Sequence, residues 1–134
     1  MGETPDSFFE KYIFTGGHDN SIEAVAQKTV DGAAVDHLIY EYVKNNNPEL
    51  VAKTKVMEKH GPYGMPPFVV HPNADPELKN KLKTILLEMS DDPKGKELMS
   101  KIMIEKFVEV DDSLYGSVRE MEKWIKSQDA NAKK

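Results

Sequence analysis

The run Phe14-Thr15-Gly16-Gly17-His18-Asp19-Asn20-Ser21-Ile22-Glu23-Ala24-Val25-Ala26, followed by Val30-Asp31-Gly32-Ala33-Ala34-Val35-Asp36, constrains the fold more than any other stretch of the chain. Phe14 ends an apolar, strand-like run, Gly16 and Gly17 let the backbone turn, and the Asp/Asn/Ser cluster suits the start of a helix whose apolar stripe is Ile22, Val25 and Ala26. His18 then stands beside a helix N-terminus, where free N–H groups and the helix dipole favour negative charge. Asp36 closes the next strand-like run. The sequence thereby sets one imidazole and one carboxylate at neighbouring element ends, an arrangement better suited to a small anion than to catalysis.

The rest of the chain extends this pattern. Residues 6–11 read as a short helix, 12–14 as a strand and 20–28 as a helix. The small apolar run Ala33-Ala34-Val35 reads as a buried parallel strand, and Leu38, Ile39, Tyr42 and Val43 have helical spacing. Asn45-Asn46-Asn47-Pro48 stops that helix, because asparagine tolerates left-handed geometry and proline disfavours helix in the residue before it. Between Thr54 and Pro72 the pattern changes: Lys55-Val56-Met57-Glu58 alternates like a half-exposed strand, Gly61-Pro62-Tyr63-Gly64-Met65-Pro66-Pro67 is a stiff connector, and Phe68-Val69-Val70 is strand-like. The C-terminal third reads as helical. It opens with Asp75 as N-cap and Pro76 in the first turn, repeats that signal at Asp92-Pro93, and carries apolar stripes at Leu78, Leu82, Ile85, Leu86 and Met89 and at Leu114, Val118, Met121 and Ile125.

At 134 residues and 15.1 kDa the chain has room for one domain with a modest core. A net charge of -5 argues against extended nucleic-acid binding. With no cysteine there is neither a thiolate nucleophile nor a Cys-ligated metal, and the four histidines lack metal-ligand spacing. His37 directly follows Asp36 and points elsewhere on its helix, while His60 and His71 fall in connector segments. Gly16-Gly17 is too short for a phosphate-binding loop and lacks its Lys-Ser/Thr ending, there is no Gly-x-Ser-x-Gly elbow, and nothing fixes a nucleophile beside His18 and Asp36. The chain is therefore read as a binding protein rather than an enzyme, with no cofactor and no metal. Residues Met1 to Pro5 lack the apolar core of a secretory signal, so no leader is expected within this sequence, which reads as cytoplasmic, already processed or part of a longer chain.

An ordered set of motifs resembles the phosphonate-type family of ABC-transporter substrate-binding proteins, which capture phosphate, phosphite or phosphonate compounds. The set comprises Phe-Thr-Gly-Gly-His-Asp (14–19) with its Ser-Ile-Glu-Ala-Val helix (21–25), Val-Asp-Gly-Ala-Ala-Val-Asp (30–36), Gly-Met-Pro-Pro-Phe-Val-Val (64–70), and the helix ending Leu-Leu-Glu-Met-Ser (86–90). Later pieces are Asp92-Pro93-Lys94-Gly95, Lys106-Phe107-Val108 and residues 111–115. The resemblance implies an α/β chain, a partial type 2 periplasmic-binding-protein fold, with a short mixed sheet flanked by helices and a helical C-terminal third. It also implies that only the C-terminal half of the family architecture is represented. Residues 1–53 would belong to the ligand-binding second lobe, 54–72 to a crossover or hinge connector, and 73–134 to a helical segment that packs on the first lobe in the family.

From the same resemblance, the expected ligand residues are His18, Asp36, Tyr40, Asp19, Asn20 and Ser21. His18 would donate a ring N–H to the oxyanion, with Asp19, Asn20 or Ser21 capping the adjacent helix. Asp36 would accept from a protonated oxygen or a ligand ammonium, or cap the helix beginning near His37, and Tyr40 would present a hydroxyl one turn later. The implied partners are a small oxyanion and the membrane permease of an importer, with no nucleic acid, and the implied location is periplasmic or extracellular at the membrane. The alternative is a self-associating interaction or sensor module, a homodimer joined through strand edges such as 12–14 and 68–70.

Overall fold

The computed structural model describes residues 4–132, and side chains through residue 128. Its helices are α1 (Pro5–Phe8), α2 (His18–Ala26), α3 (His37–Asn46), α4 (Pro48–Val51), α5 (Pro76–Glu88), α6 (Pro93–Lys101) and α7 (Gly116–Ala132), with a 3-10 turn at Asp112–Tyr115. The chain divides into two units at His60 and Gly61.

In the first unit α2, α3 and α4 pack together. Each start has a local cause. The Asp36 carboxylate accepts from the N–H groups of Leu38 at 2.8 Å and Ile39 at 3.3 Å and so caps α3. Asn47 caps α4 by accepting from Leu50 N–H at 3.2 Å, with Pro48 in the first turn, where its missing N–H costs nothing. Helix α2 ends in a Schellman motif, with Thr29 N–H donating to Ala24 C=O at 2.9 Å and Lys28 N–H to Val25 C=O at 3.0 Å, which places Lys28 at a φ of 62°. Among the described residues of this unit, Ile22 of α2 and Val51 of α4 are the buried apolar side chains. The Tyr40 hydroxyl lies 3.0 Å from Thr54 Oγ1, which itself donates to Val51 C=O at 2.8 Å. The single Thr54 proton is thus engaged, and Tyr40 is the donor between the two hydroxyls.

In the second unit the Asp-Pro start signal acts twice. Asp75 accepts from Leu78 N–H at 3.0 Å and Asp92 from Gly95 N–H at 2.6 Å, opening α5 and α6. Gly95 is buried where a Cβ would lie 2.1 Å from Met89 C=O, so only glycine permits α6 to approach the end of α5 this closely. Met99 is buried at 1% exposure. Phe68 and Phe107 meet edge to face at 5.2 Å, Lys83 pairs with Glu109 at 2.6 Å, and the Tyr115 hydroxyl donates to Met65 C=O at 3.1 Å.

The expected α/β architecture, a partial type 2 periplasmic-binding-protein fold with a short mixed sheet, is not what forms. Among the described residues there is no strand, and the ordered elements are helices. The segments read as strands, 12–14, 33–35, 55–58 and 68–70, are non-helical but pair with no neighbour. Apolar alternation identifies a segment able to be a strand, but the ladder hydrogen bonds that make it one must come from another segment. Here none is in register. Ala33 and Ala34, expected inside a sheet, are accordingly exposed.

Candidate functional site

The glycine turn delivers His18 to the first position of α2, with Gly17 as N-cap in extended conformation. Three side chains brace this turn. Thr15 Oγ1 donates to Gly17 C=O at 2.8 Å and lies 2.7 Å from Ser21 Oγ, while Asn20 Nδ2 donates to Thr15 C=O at 2.9 Å. Gly17 also makes room for Asp19, because a Cβ on it would stand 2.5 Å from Asp19 Oδ1.

From the other side, the main-chain N–H of Asp36 donates to His18 Nδ1 at 3.2 Å, joining the starts of α2 and α3. A cleft of about 330 Å³ opens beside this junction, lined by His18, Asp19, Ile39, Tyr42 and Val43. Its walls are mostly apolar and its polar groups are one imidazole, one carboxylate and one phenol. Among the described lining residues there is no lysine or arginine. The nearest ion pair on α3 is Lys44 with Glu41 at 3.1 Å, and the lysine hydrogen bond holds the Glu41 carboxyl below its ordinary range.

The six residues expected from sequence separate into distinct roles. His18 and Asp19 line the cleft. Asn20 and Ser21 are tied into the turn, and the Tyr40 hydroxyl is tied to Thr54. The Asp36 carboxylate caps α3, while its backbone holds His18. Sequence reasoning missed Tyr42 as a cleft residue. The signal was present, since Ile39, Tyr42 and Val43 stand at i, i+3 and i+4 and must share one face of α3. Among the described residues no three His, Cys, Asp or Glu side chains converge on a metal position, and no helix is long and apolar enough to cross a membrane.

The sequence model of the family described as ABC transporter, phosphonate, periplasmic substrate-binding protein matches residues 1–115 of this chain. The chain belongs to this family. The match contains the whole turn, both helix starts that meet at His18, and the cleft. As a phosphonate-type substrate-binding protein it falls in a class of periplasmic transport components that bind a solute and do not transform it.

Proposed function

We propose that the chain captures a small phosphonate-type oxyanion in the cleft between α2 and α3, for delivery to the permease of an ABC importer. The supporting observation is the placement of His18: it stands in the first turn of α2, is held at Nδ1 by the Asp36 amide, and lines a cleft of about 330 Å³. In that position the ring adds a side-chain donor to a helix start whose field already favours an anion. In this reading residues 1–53 carry the ligand contacts, 54–72 form the connector and 73–134 the helical segment, and the ligand is met at the membrane's outer face.

The cleft offers few donors and no lysine or arginine, so binding by this chain should be weak. Titration with methylphosphonate, phosphite and phosphate, followed by amide chemical shifts, tests the reading. Shifts confined to His18, Asp19, Ile39, Tyr42 and Val43 support it, and a flat response to all three anions removes it.

A second reading has its own observation. Phe14 is 92% exposed, Met57 82% and Val69 81%, all in non-helical segments without backbone partners. These residues favour a self-associating module, a homodimer, over a lone capture protein. A melting temperature that rises with protein concentration is its signature.

A further inference from the structure

Of the four histidines, His18 and His71 each accept a main-chain N–H at Nδ1, and only at His18 does that N–H come from a distant part of the chain. Its Nδ1 accepts from the Asp36 main-chain N–H, a residue distant in sequence, at 3.2 Å. A ring nitrogen that accepts a hydrogen bond carries no proton, so the neutral imidazole keeps its proton on Nε2, at the opposite edge of the ring. The ring's partner is the Asp36 main chain and not its carboxylate, whose Oδ1 accepts from the N–H groups of both Leu38 and Ile39. Asp36 thus uses its two polar groups in two directions: the side chain starts α3 and the main chain holds His18.

We infer that the main-chain N–H of Asp36 is the positioning group of the site, fixing His18 Nδ1 as an acceptor so that Nε2–H is the donor the ring offers to the cleft. This rests on the anion-capture reading for its purpose but not for its geometry. The consequence is a selectivity rule. At His18 the cleft accepts a ligand atom with a free lone pair, such as an unprotonated phosphoryl oxygen, and turns away a donor. The neighbouring Asp19 carboxylate has the opposite preference, so the favoured ligand presents an acceptor and a donor side by side, as a singly protonated oxyanion does. Asp36 acts here through another residue and is a positioning residue rather than a ligand contact.

The protein contains its own references. His71 Nδ1 accepts from Asn73 N–H at 3.1 Å, the same kind of bond made locally, whereas no bond of this kind engages His37 among the described residues. Long-range proton–nitrogen spectra of the histidine-labelled chain are recorded about two pH units above the ordinary histidine value of ~6.5. The expected result is a His18 Nδ1 signal displaced, like that of His71, from the position of His37 toward a hydrogen-bonded acceptor. Asp36→Ala removes the helix cap and keeps the N–H, and should leave that signal in place. Asp36→Pro removes the N–H at a residue whose φ of -61° already suits proline, and should move the signal to the His37 position.

A wild-type His18 signal coincident with that of His37, or one unmoved by Asp36→Pro, overturns the inference. If Asp36→Pro does not fold, nitrogen–nitrogen coupling between the Asp36 amide and His18 Nδ1 in the wild type decides: its presence supports the assignment and its absence refutes it. Methylphosphonate titration of the same samples keeps the two ideas apart. A held ring without binding supports the positioning and removes the capture reading, while binding with an unheld ring does the reverse.

Discussion

At the scale of single residues, the site depends on which polar atoms are already engaged. Tyr40 illustrates this: its position one turn after Asp36 suggests a cleft hydroxyl, yet that hydroxyl donates to Thr54 and ties α3 to the chain beyond α4. Tyr40→Phe should lower stability by about 1 kcal/mol, the usual net value of one hydrogen bond, as read by urea unfolding. Asp36→Ala should cost about 1 kcal/mol as a lost N-cap, and Asp36→Asn should recover most of it, because asparagine caps nearly as well. Equal losses for Ala and Asn would mean that capping is not the role of this carboxylate. The turn motif made His18 and Asp19 readable in the sequence. The Asp36 cap was one of the two roles its sequence position suggested, whereas the engagement of Tyr40 was not readable, because it depends on where Thr54 comes to lie.

At the scale of elements, helix starts were the most legible features. Asp75-Pro76 and Asp92-Pro93 carry their cap and their first-turn residue side by side, and both open helices as expected. Helix ends were harder to read. Helices α2 and α6 stop at Lys28 and Met103, with φ of 62° and 59°, positions where glycine is the usual choice. Lys28→Gly should therefore raise stability by about 1 kcal/mol by relieving the left-handed penalty, and an unchanged or lower melting temperature would contradict that. Gly95→Ala should do the opposite, costing about 1–3 kcal/mol, since its Cβ would collide with the Met89 carbonyl. The sheet was the least legible element. Residues 12–14 and 68–70 have strand composition, but composition cannot supply a partner in register.

At the scale of the whole molecule, charge acts in one direction. The carboxyls of Glu41, Glu97, Glu122 and Asp111 are all held below their ordinary range, the first three chiefly by hydrogen bonds from Lys44, Lys101 and Lys126 and the last by the Ser113 backbone N–H. A carboxylate depressed in the folded state stabilises above its unfolded value and loses that contribution as pH falls through the folded one. The melting temperature should accordingly hold near neutrality and decline below about pH 4, with the lysine-paired share of the decline shrinking in high salt. Glu97, Glu122 and Asp111 are exposed and Glu41 is half-buried, so a pH-independent melting curve would show that their pairs contribute nothing.

Anion capture by this chain depends on an imidazole beside a helix start acting as the donor. The most direct test is an amide-resolved titration with methylphosphonate of the wild-type chain and of His18→Ala. The expected result is saturable shifts at the α2 and α3 residues of the cleft, weakened about 10- to 100-fold by the substitution, the equivalent of losing a hydrogen bond to a charged group. Shifts of the same size and midpoint in both proteins would contradict it.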